Sequence, residues 1–376
     1  MQPATAPSDL RPTVMEVNLS ALTHNLRAIR TRVGNAKIMP VVKANAYGHG
    51  MVECARALSD AGADSFGVAL AEEGIELRRA GITQPILVFG GLWQAQINDY
   101  LDHDLEITAP SLEKIQAIDA VAERRRVRAK VHLKIDTGLG RIGVQHDRLP
   151  RFADGILACQ NLEVVGVYSH LATAEDTDKT FAETQVARFR AGLDYLHGRG
   201  IRWQTAHLAN SAAILNLPNS YFDMVRPGLA LYGVAPARAL ENVLPLQPVM
   251  SLKSTVVYFK TVAAGQGISY GQKWRAPQQT RIVTVPVGYG DGILRALSGR
   301  GEVLIHGRRY PMVGNICMDQ LMVNIRNGEA YNGDPVVLIG RQEGEEITVA
   351  QIAEAIGTAP HEVLTALNLR VPRVYL

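Results

Sequence analysis

The fold prediction begins with the stretch AKIMPVV at residues 36–42, which is followed directly by KANAYGHG at 43–50. A short apolar run bounded by a glycine-rich loop is typical of a buried β-strand. Seven further runs of this kind follow, at 65–69, 86–89, 105–108, 130–135, 164–169, 204–208 and 224–231. Helical patterns separate them, and another precedes the first strand at 20–33. The alternation predicts an α/β fold with an N-terminal (β/α)8 TIM-type barrel, and an open doubly wound sheet is the alternative.

The pattern changes close to Val243, where the proline-containing segment 244–248 is typical of a linker or turn. Beyond it, strand-like runs follow one another with few helices between them, at 254–262, 281–287, 302–305, 321–325 and 336–339. Two helical patterns come next, near 348–357 and 360–367. We therefore predict a loose tail at 1–12, a barrel domain at 13–243 and a β-rich C-terminal domain at 244–376.

The composition is that of an ordinary globular protein. Hydrophobic residues make up 47% of the 376 residues and charged residues 20%, which excludes a disordered chain and a coiled coil. Lys and Arg number 39 against 36 for Asp and Glu, so a net charge of +3 gives no broad basic surface. The densest basic cluster, at 124–130, is typical of a solvated face, and no nucleic-acid partner is expected.

The cysteines and the hydropathy predict a cytoplasmic protein without a metal site. Cys54, Cys159 and Cys317 are widely spaced and form no Cys/His array, so neither a disulfide framework nor a zinc site is expected. No apolar run reaches the roughly 18 residues of a membrane span, and no membrane association is expected. Residues 1–14 contain three prolines and lack the apolar core of a secretory signal.

Lys43 ends the first apolar strand, and a lysine in that position needs a physical reason. Burying an ammonium group without a partner is expensive, so one interpretation is a surface lysine whose charged end reaches water. The other interpretation is an amine with a lowered pKa that is ready to form a Schiff base. Asn45 and the glycines that follow allow a tight loop, in which the backbone can approach a ligand closely.

Further polar residues follow the carboxyl ends of the later strands, where the active sites of such barrels lie. They are Arg141 after the fifth strand, His170 after the sixth, Asn210 and Ser211 after the seventh, and Arg226 with Gly228 in the eighth. Each has a structural alternative, for example a core histidine at 170 or helix caps at 210 and 211. A serine at a helix start and a glycine after the eighth strand match the phosphate site that barrels often form there. Together with a strand-end lysine, this phosphate site points to pyridoxal phosphate.

These residues belong to a set of motifs that resembles alanine racemase, a family of fold-type III pyridoxal-phosphate enzymes. The resemblance extends from about residue 12 to residue 376, and its most specific part is the block 41–50. The other motifs follow in the family's order, at 134–143, 225–228, 269–271, 288–292 and 317–319. The resemblance implies an isomerase that interconverts L-alanine and D-alanine, with D-alanine serving as a peptidoglycan precursor. The sequence leaves open whether the enzyme serves that biosynthesis or alanine catabolism.

The resemblance also implies a two-base mechanism in a homodimer with shared active sites. Lys43 would be the Schiff-base lysine and one base, and Tyr270 would be the other base, on the opposite face of the substrate Cα. Tyr270 would come from the other subunit. Arg141 would help to bind the substrate carboxylate together with the backbone of Met318 from the partner chain. Tyr289 would line the entrance to the site.

Contacts with the cofactor follow from the same resemblance. Arg226 would face the pyridine nitrogen, and His170 would pack near the cofactor ring. The phosphate would be held by Tyr47, Ser211, Gly228, Leu229 and Tyr375, with Asn210 close by. Lys134 matches a position that is carbamylated in some members, where the added carboxylate steadies the neighbouring arginine.

Asn315 departs from the family pattern, because many members have arginine two residues before the Cys-Met-Asp motif. The missing charge changes the electrostatics of the entrance, so a broader amino-acid racemase, acting for example on serine, is the alternative. A non-catalytic barrel protein that binds pyridoxal phosphate is a second alternative, but such proteins lack the β-rich domain. A basic amino-acid decarboxylase of the same layout is a third, and it would need other residues in the substrate site.

Overall fold

The computed structural model describes residues 11–376, so most of the predicted tail at 1–12 lies outside the described residues. Two compact units make up the chain. One comprises residues 22–46 and 51–247, and the other comprises the described residues 11–21 together with 47–50 and 248–376. The predicted boundary lies between 243 and 244, and the compact units divide between Gln247 and Pro248.

Eight parallel strands form the core of the first unit. They are Lys37–Ile38, Phe66–Val68, Ile86–Val88, Glu106–Ala109, Ala129–Asp136, Leu162–Tyr168, Thr205–His207 and Met224–Val225. From the second strand onward each pairs with the next, and the eighth pairs with the first. The N–H of Val42 donates to the carbonyl of Gly67, and the N–H of Gly67 donates to that of Pro40, both at 2.9 Å, which closes the ring. The barrel prediction is confirmed, and the doubly wound alternative is wrong.

The eighth strand is shorter than the apolar run at 224–231 predicts. It ends at Val225, and the chain continues through a turn into the 3-10 helix Leu229–Tyr232. Pro227 lacks an N–H to donate to a neighbouring strand, which explains why the ladder stops although the sequence stays apolar. A second short strand, Val144–Gln145, pairs with the end of the fifth barrel strand outside the ring.

Helices connect the barrel strands. They are Leu19–Val33, Met51–Asp60, Ala71–Arg79, Ile97–Asp102, Leu112–Arg125, Leu149–Ala158, Thr180–Gly198 and Ser211–Asn216. Leu112–Arg125 shows why such segments are helical. The hydroxyl of Ser111 accepts from the N–H of Lys114, and Ile115, Ile118 and Ala122 are buried at helical spacing. Short 3-10 helices lie at Gln94–Gln96, Pro218–Ser220 and Arg238–Leu240.

The second unit is rich in strands, which pair antiparallel except for Val14–Val17 with Arg373–Tyr375. They are Val14–Val17, Met250–Thr255, Tyr258–Val262, Gly267–Ile268, Trp274–Arg275, Thr280–Val285, Glu302–Ile305, Arg308–Val313, Leu321–Arg326, Pro335–Gln342, Glu345–Ile347 and Arg373–Tyr375. Helices Val349–Ile356 and Pro360–Ala366 cover this unit's core, and 3-10 helices lie at Tyr270–Gln272, Tyr289–Asp291 and Arg295–Leu297. The β-rich character of this part agrees with the prediction.

The strand Val14–Val17 differs from the sequence-based division, which placed residue 13 at the start of the barrel. It pairs antiparallel with Met250–Thr255 and parallel with Arg373–Tyr375, and so belongs to the second unit. Alternate residues of the strand are buried, as expected for one face of a sheet. Pairing between segments more than 200 residues apart leaves no local signal in the sequence, so the pairing of this strand could not be read from the sequence.

Two other sequence predictions concern the basic cluster and the membrane. In the basic cluster, Arg125 pairs with Asp102 at 2.5 Å and Lys130 with Asp104 at 2.7 Å, so these charges are balanced by neighbours on the surface. Among residues 11–376, no helix has both the length and the apolar character needed to cross a lipid bilayer.

Candidate active site

Lys43 follows the first barrel strand and opens a left-handed turn, Lys43–Tyr47. Ala44, Asn45, Ala46 and Tyr47 all have φ of 53–54°. A left-handed turn costs residues with a Cβ about 1–2 kcal/mol each, so its neighbours must compensate. The carboxylate of Glu73 accepts from the N–H of Ala44 at 2.6 Å, and the side-chain oxygen of Asn45 accepts from the N–H of Met51 at 2.9 Å. Strain of this kind is characteristic of functional sites.

The amine of Lys43 is half-buried, and burial is the main reason that its pKa is lowered from the ordinary value of a lysine. The positive charge of Arg141 lowers the pKa further, whereas the carboxylate of Glu73 opposes the shift. A lowered pKa increases the fraction of neutral amine, which is the form that attacks an aldehyde. The environment therefore favours the Schiff-base interpretation over a solvated surface lysine.

Arg226 lies just beyond the eighth barrel strand and is only 4% exposed. Its guanidinium donates to Nδ1 of His207 at 2.8 Å and to the carbonyls of Ser169 and Leu208 at 2.7 and 3.0 Å. Burial lowers the pKa of Arg226 to about 10, so the group remains charged at neutral pH. His170 lies beside it, with Nδ1 3.3 Å from the guanidinium. Burial and the neighbouring cations, Arg226 first among them, lower the pKa of His170 well below its usual range, which keeps that ring neutral.

Backbone N–H groups converge near Ser211. The side chain of Asn210 caps the helix that follows by accepting from the N–H of Ala213 at 3.0 Å. The hydroxyl of Ser211 accepts from the N–H groups of Gly228 and Ala230 at 2.8 and 3.2 Å. Leu229 lies between these two donors and is buried. A hydroxyl and several N–H groups at the starts of two helical segments form a donor set suited to a phosphate.

Lys134 lies inside the barrel on the fifth strand and is 3% exposed. Its Nζ is 4.2 Å from the centre of the Tyr168 ring. Burial is the main cause that lowers its pKa well below the ordinary value, and the charges of Arg226 and Arg141 act in the same direction. A lowered pKa increases the fraction of neutral amine, which is the nucleophilic form that carbamylation requires.

The second unit holds Tyr47 and Tyr375, which the sequence assigned to the phosphate. Tyr47 is buried in the loop that follows Lys43, and burial raises the pKa of its hydroxyl. The phenol of Tyr375 packs against Gly50 so closely that a Cβ at residue 50 would lie 1.9 Å from its oxygen. Arg373, on the same strand as Tyr375, donates to the carbonyl of Gly48 at 2.9 Å. The strand Arg373–Tyr375 and the loop 47–50 are thus held together within this unit.

Tyr270, Tyr289 and Met318 lie on exposed loops of the second unit, with 73%, 42% and 52% of their surface accessible. The N–H of Tyr289 donates to the carbonyl of Cys317 at 3.0 Å, which joins two of these loops. The side-chain amide of Asn315 donates to the carbonyl of Tyr270 at 2.7 Å. Asn315 therefore restrains the backbone of Tyr270, a role that the comparison with arginine in other members did not suggest.

The candidate site residues thus fall into two groups, one in each compact unit. The barrel unit contains Lys43, Lys134, Arg141, His170, Asn210, Ser211, Arg226, Gly228 and Leu229, and the β-rich unit contains Tyr47, Tyr270, Tyr289, Met318 and Tyr375. Sequence reasoning missed Glu73 and three buried polar residues on barrel strands, Glu106, His132 and His207. The signal was present, because each of those three interrupts an apolar strand, and a buried polar group needs a hydrogen-bond partner.

The residues of the barrel unit fit pyridoxal phosphate. The amine of Lys43, with its lowered pKa, suits the cofactor's aldehyde, the charged Arg226 suits the ring nitrogen as an acceptor, and the donors around Ser211 suit the phosphate. Among residues 11–376, no cluster of three or more His, Cys, Asp or Glu side chains could hold a metal ion.

Comparison with known proteins agrees with this chemistry. Residues 17–236 match the family model of the alanine racemase N-terminal domain, and residues 249–375 match that of the alanine racemase C-terminal domain. Alanine racemase 2 of Caldanaerobacter subterraneus subsp. tengcongensis is 42% identical over 371 residues, covering 98% of this chain and 96% of the relative. The alanine racemase of Carboxydothermus hydrogenoformans is 43% identical over 369 residues, covering 98% of this chain and all of the relative.

Solved structures show the same relationship. The crystal structure of alanine racemase from Streptomyces lavendulae superposes with a TM-score of 0.94 at 38% identity, covering 99% of this chain and 98% of that one. The alanine racemase of Bacillus anthracis with bound L-Ala-P superposes with a TM-score of 0.93 at 38% identity, covering 99% and 96%. The chain therefore belongs to the alanine racemase family, the pyridoxal-phosphate-dependent isomerases that interconvert L-alanine and D-alanine.

Proposed function

We propose that Lys43 and Tyr270 are the two bases with which this chain racemises alanine, each acting on one face of the substrate Cα. The observation that carries the proposal is the environment of Lys43, a strand-end amine whose pKa is lowered by burial and by Arg141. One base removes the proton and the other returns one from the opposite side, which inverts the configuration. Tyr270 is an exposed phenol on a restrained loop, as a base offered to a second molecule requires.

Magnitudes show why two bases alone do not suffice. One positioned acid or base accelerates a reaction about 10²–10⁴-fold, which lowers the activation barrier by about 3–5 kcal/mol. Enzymes commonly lower the barrier by at least ~8 kcal/mol. Pyridoxal phosphate, when bound, supplies the electron sink that makes the Cα proton removable. Lys43 would hold the cofactor through its amine, while Tyr47, Ser211, Gly228, Leu229 and Tyr375 would hold its phosphate.

Arg226 would hold the pyridine nitrogen as a donor. Its guanidinium stays protonated at neutral pH, so a ring nitrogen held beside it would remain unprotonated. An unprotonated ring is a weaker electron sink, and we propose that this limits side reactions such as transamination. His170, kept neutral by Arg226 and burial, would pack near the ring without adding a charge.

Replacing Arg226 with Glu is expected to slow racemisation and to raise transamination. The carboxyl group would favour a protonated ring nitrogen, and loss of one preorganised electrostatic contact commonly costs about 10²–10³-fold in rate. The measurement is pyruvate formed per racemisation event, with Arg226→Lys as the control that keeps a positive charge. An Arg226→Glu enzyme with the wild-type ratio of pyruvate to racemised alanine would overturn this account of Arg226.

The remaining assignments concern the substrate and the partner subunit. We propose a homodimer in which the exposed residues Tyr270 and Met318 complete the site of the partner, with Tyr289 at the entrance. Arg141 would bind the substrate carboxylate, steadied by a carbamate on Lys134, since burial lowers the pKa of that lysine and favours the neutral amine that reacts with carbon dioxide. A cytoplasmic location and a supply of D-alanine for peptidoglycan are further proposals from the resemblance, and the three free cysteines suit a reducing compartment.

The alternatives lose support. No finding favours a broader racemase, and Asn315 binds the backbone of Tyr270, so its presence has an explanation other than relaxed specificity. The matched C-terminal domain argues against a non-catalytic barrel protein that binds pyridoxal phosphate, and the relatives are racemases rather than decarboxylases.

The test of the function is incubation of the purified protein and pyridoxal phosphate with L-alanine in D₂O. We expect D-alanine to form and both enantiomers to acquire deuterium at Cα, because each base exchanges its proton with solvent. A parallel incubation with L-serine measures specificity, and alanine should react much faster. Inversion without deuterium uptake would exclude proton transfer by exchangeable bases, and a failure to invert alanine would overturn the assignment as a whole.

A further inference from the structure

Four buried polar residues form a continuous line of hydrogen bonds through the barrel interior. Oε2 of Glu106 lies 2.8 Å from Nε2 of His132, and Nδ1 of His132 lies 3.0 Å from Nε2 of His207. Nδ1 of His207 lies 2.8 Å from the guanidinium of Arg226. The four residues are between 0% and 8% exposed. Glu106 begins the fourth strand and Arg226 follows the eighth, so the line runs toward the carboxyl ends of the strands.

The hydrogen bonds determine where the protons of both imidazoles lie. A guanidinium can only donate, so Nδ1 of His207 accepts and carries no proton. Nε2 of His207 therefore carries the ring's proton and donates to Nδ1 of His132. By the same logic Nδ1 of His132 accepts, so Nε2 of His132 carries that ring's proton and donates to Oε2 of Glu106. All three bonds exist together only when both rings are neutral and protonated on Nε2.

The surroundings favour this arrangement. Burial, with the charge of Arg226 as the next cause, lowers the pKa of His207 well below its usual range, in agreement with a neutral ring. The ring of Tyr168 stacks on that of His207 with centroids 5.0 Å apart and planes within 3°. Gly166, on the sixth strand, leaves room for His132, because a Cβ there would lie 2.1 Å from Nδ1 of the imidazole. Both rings are thus held in place by packing as well as by hydrogen bonds.

We propose that Glu106 is a positioning residue for Arg226, acting through the fixed tautomers of His132 and His207. Glu106 makes His132 present a lone pair to His207, which in turn presents a lone pair rather than an N–H to the guanidinium. Without the carboxylate, His132 can adopt the other tautomer, and His207 then faces Arg226 with a proton. Two donors facing each other would turn the guanidinium away from its present direction. The proposal rests on the role of Arg226 at the ring nitrogen given above.

The decisive variants are Glu106→Leu, which removes the acceptor, and Glu106→Gln, whose amide oxygen can still accept from His132. Ring protonation is read from ¹H–¹⁵N spectra of protein labelled at histidine, without cofactor, with signals assigned through His132→Gln and His207→Gln. We expect the wild type and Glu106→Gln to show protons on Nε2 of both rings, and Glu106→Leu to lose that pattern. In the loaded enzyme, Glu106→Leu should raise pyruvate formed per racemisation event about tenfold, equivalent to about 1.4 kcal/mol. Glu106→Gln should largely restore the wild-type ratio.

Thr205→Val, an isosteric change of a buried residue on the strand of His207, is the matched control and should leave both readouts unchanged. If Glu106→Leu does not fold, Glu106→Asp tests the proposal instead. Its side chain keeps a carboxylate but is shorter by one methylene, so the carboxylate is withdrawn from His132. This variant should also raise the ratio of pyruvate to racemised alanine. Unchanged ring protonation or an unchanged pyruvate ratio in a folded Glu106→Leu or Glu106→Asp protein would overturn the proposal. A failure of the proposed function itself would give a different result, because the wild-type protein would then neither bind pyridoxal phosphate nor racemise alanine.

Discussion

A Lys43→Ala variant is expected to lose racemisation and the visible absorbance that covalently held pyridoxal phosphate gives the wild type. The variant loses one base, and that loss alone should lower the rate about 10²–10⁴-fold. It also loses the only amine proposed to hold the cofactor. Methylamine added in solution should restore at most a small part of the rate, because a free amine lacks the orientation of a side chain at the end of a barrel strand. The measurements are the absorption spectrum after addition of pyridoxal phosphate and the racemisation rate.

The matched control is Lys37→Ala, which removes an exposed lysine from the preceding barrel strand. That variant should keep the spectrum and the rate of the wild type. A Lys43→Ala protein that retains the absorbance band after removal of unbound cofactor would show that another amine holds it. Lys134 would then be the first candidate, since burial and two arginines also lower the pKa of that amine.

A Tyr270→Phe variant should lose racemisation by about 10²–10⁴-fold, because one of the two faces of Cα then lacks a base. The two enantiomers have equal free energies in water, so kcat/KM for racemisation stays equal in both directions. The asymmetry therefore has to be measured as deuterium uptake into recovered substrate in D₂O. We expect one enantiomer to exchange its Cα proton at close to the wild-type rate, through Lys43, while exchange of the other is suppressed.

Tyr258→Phe is the matched control, because Tyr258 is an exposed tyrosine of the same unit with 56% of its surface accessible. It should leave both exchange rates unchanged. Equal suppression of exchange for both enantiomers in Tyr270→Phe would contradict a two-base scheme. That result would instead indicate that the phenol supports substrate binding on both faces.

Asn315 shows how a tertiary contact changes the interpretation of a sequence difference. From the sequence alone, asparagine in place of the usual arginine is a lost positive charge at the entrance. In the folded chain its amide donates to the carbonyl of Tyr270, and the hydroxyl of Ser269 donates to the carbonyl of Asn315 at 2.6 Å. The residue thus restrains the loop of a proposed base, which the sequence could not indicate because the partners are 45 and 46 positions away.

Local patterns in the sequence were enough to predict the barrel, the β-rich second part and the family. Strand and helix periodicities are local, so runs such as 36–42 reveal their structure without knowledge of their neighbours. The motif around Lys43 is local too, and the family resemblance that it carries indicates the chemistry, whereas the strand-end lysine alone left a surface role open.

Features that depend on distant neighbours became visible in the folded chain alone. The strand Val14–Val17 joins the second unit because its partners, Met250–Thr255 and Arg373–Tyr375, lie far along the chain. The left-handed turn after Lys43 is held by Glu73, and the tautomers of His132 and His207 follow from Glu106 and Arg226. The physical reason is the same in each case, because a buried polar group or a strained backbone is stable only when a specific partner is present, and folding alone brings that partner close.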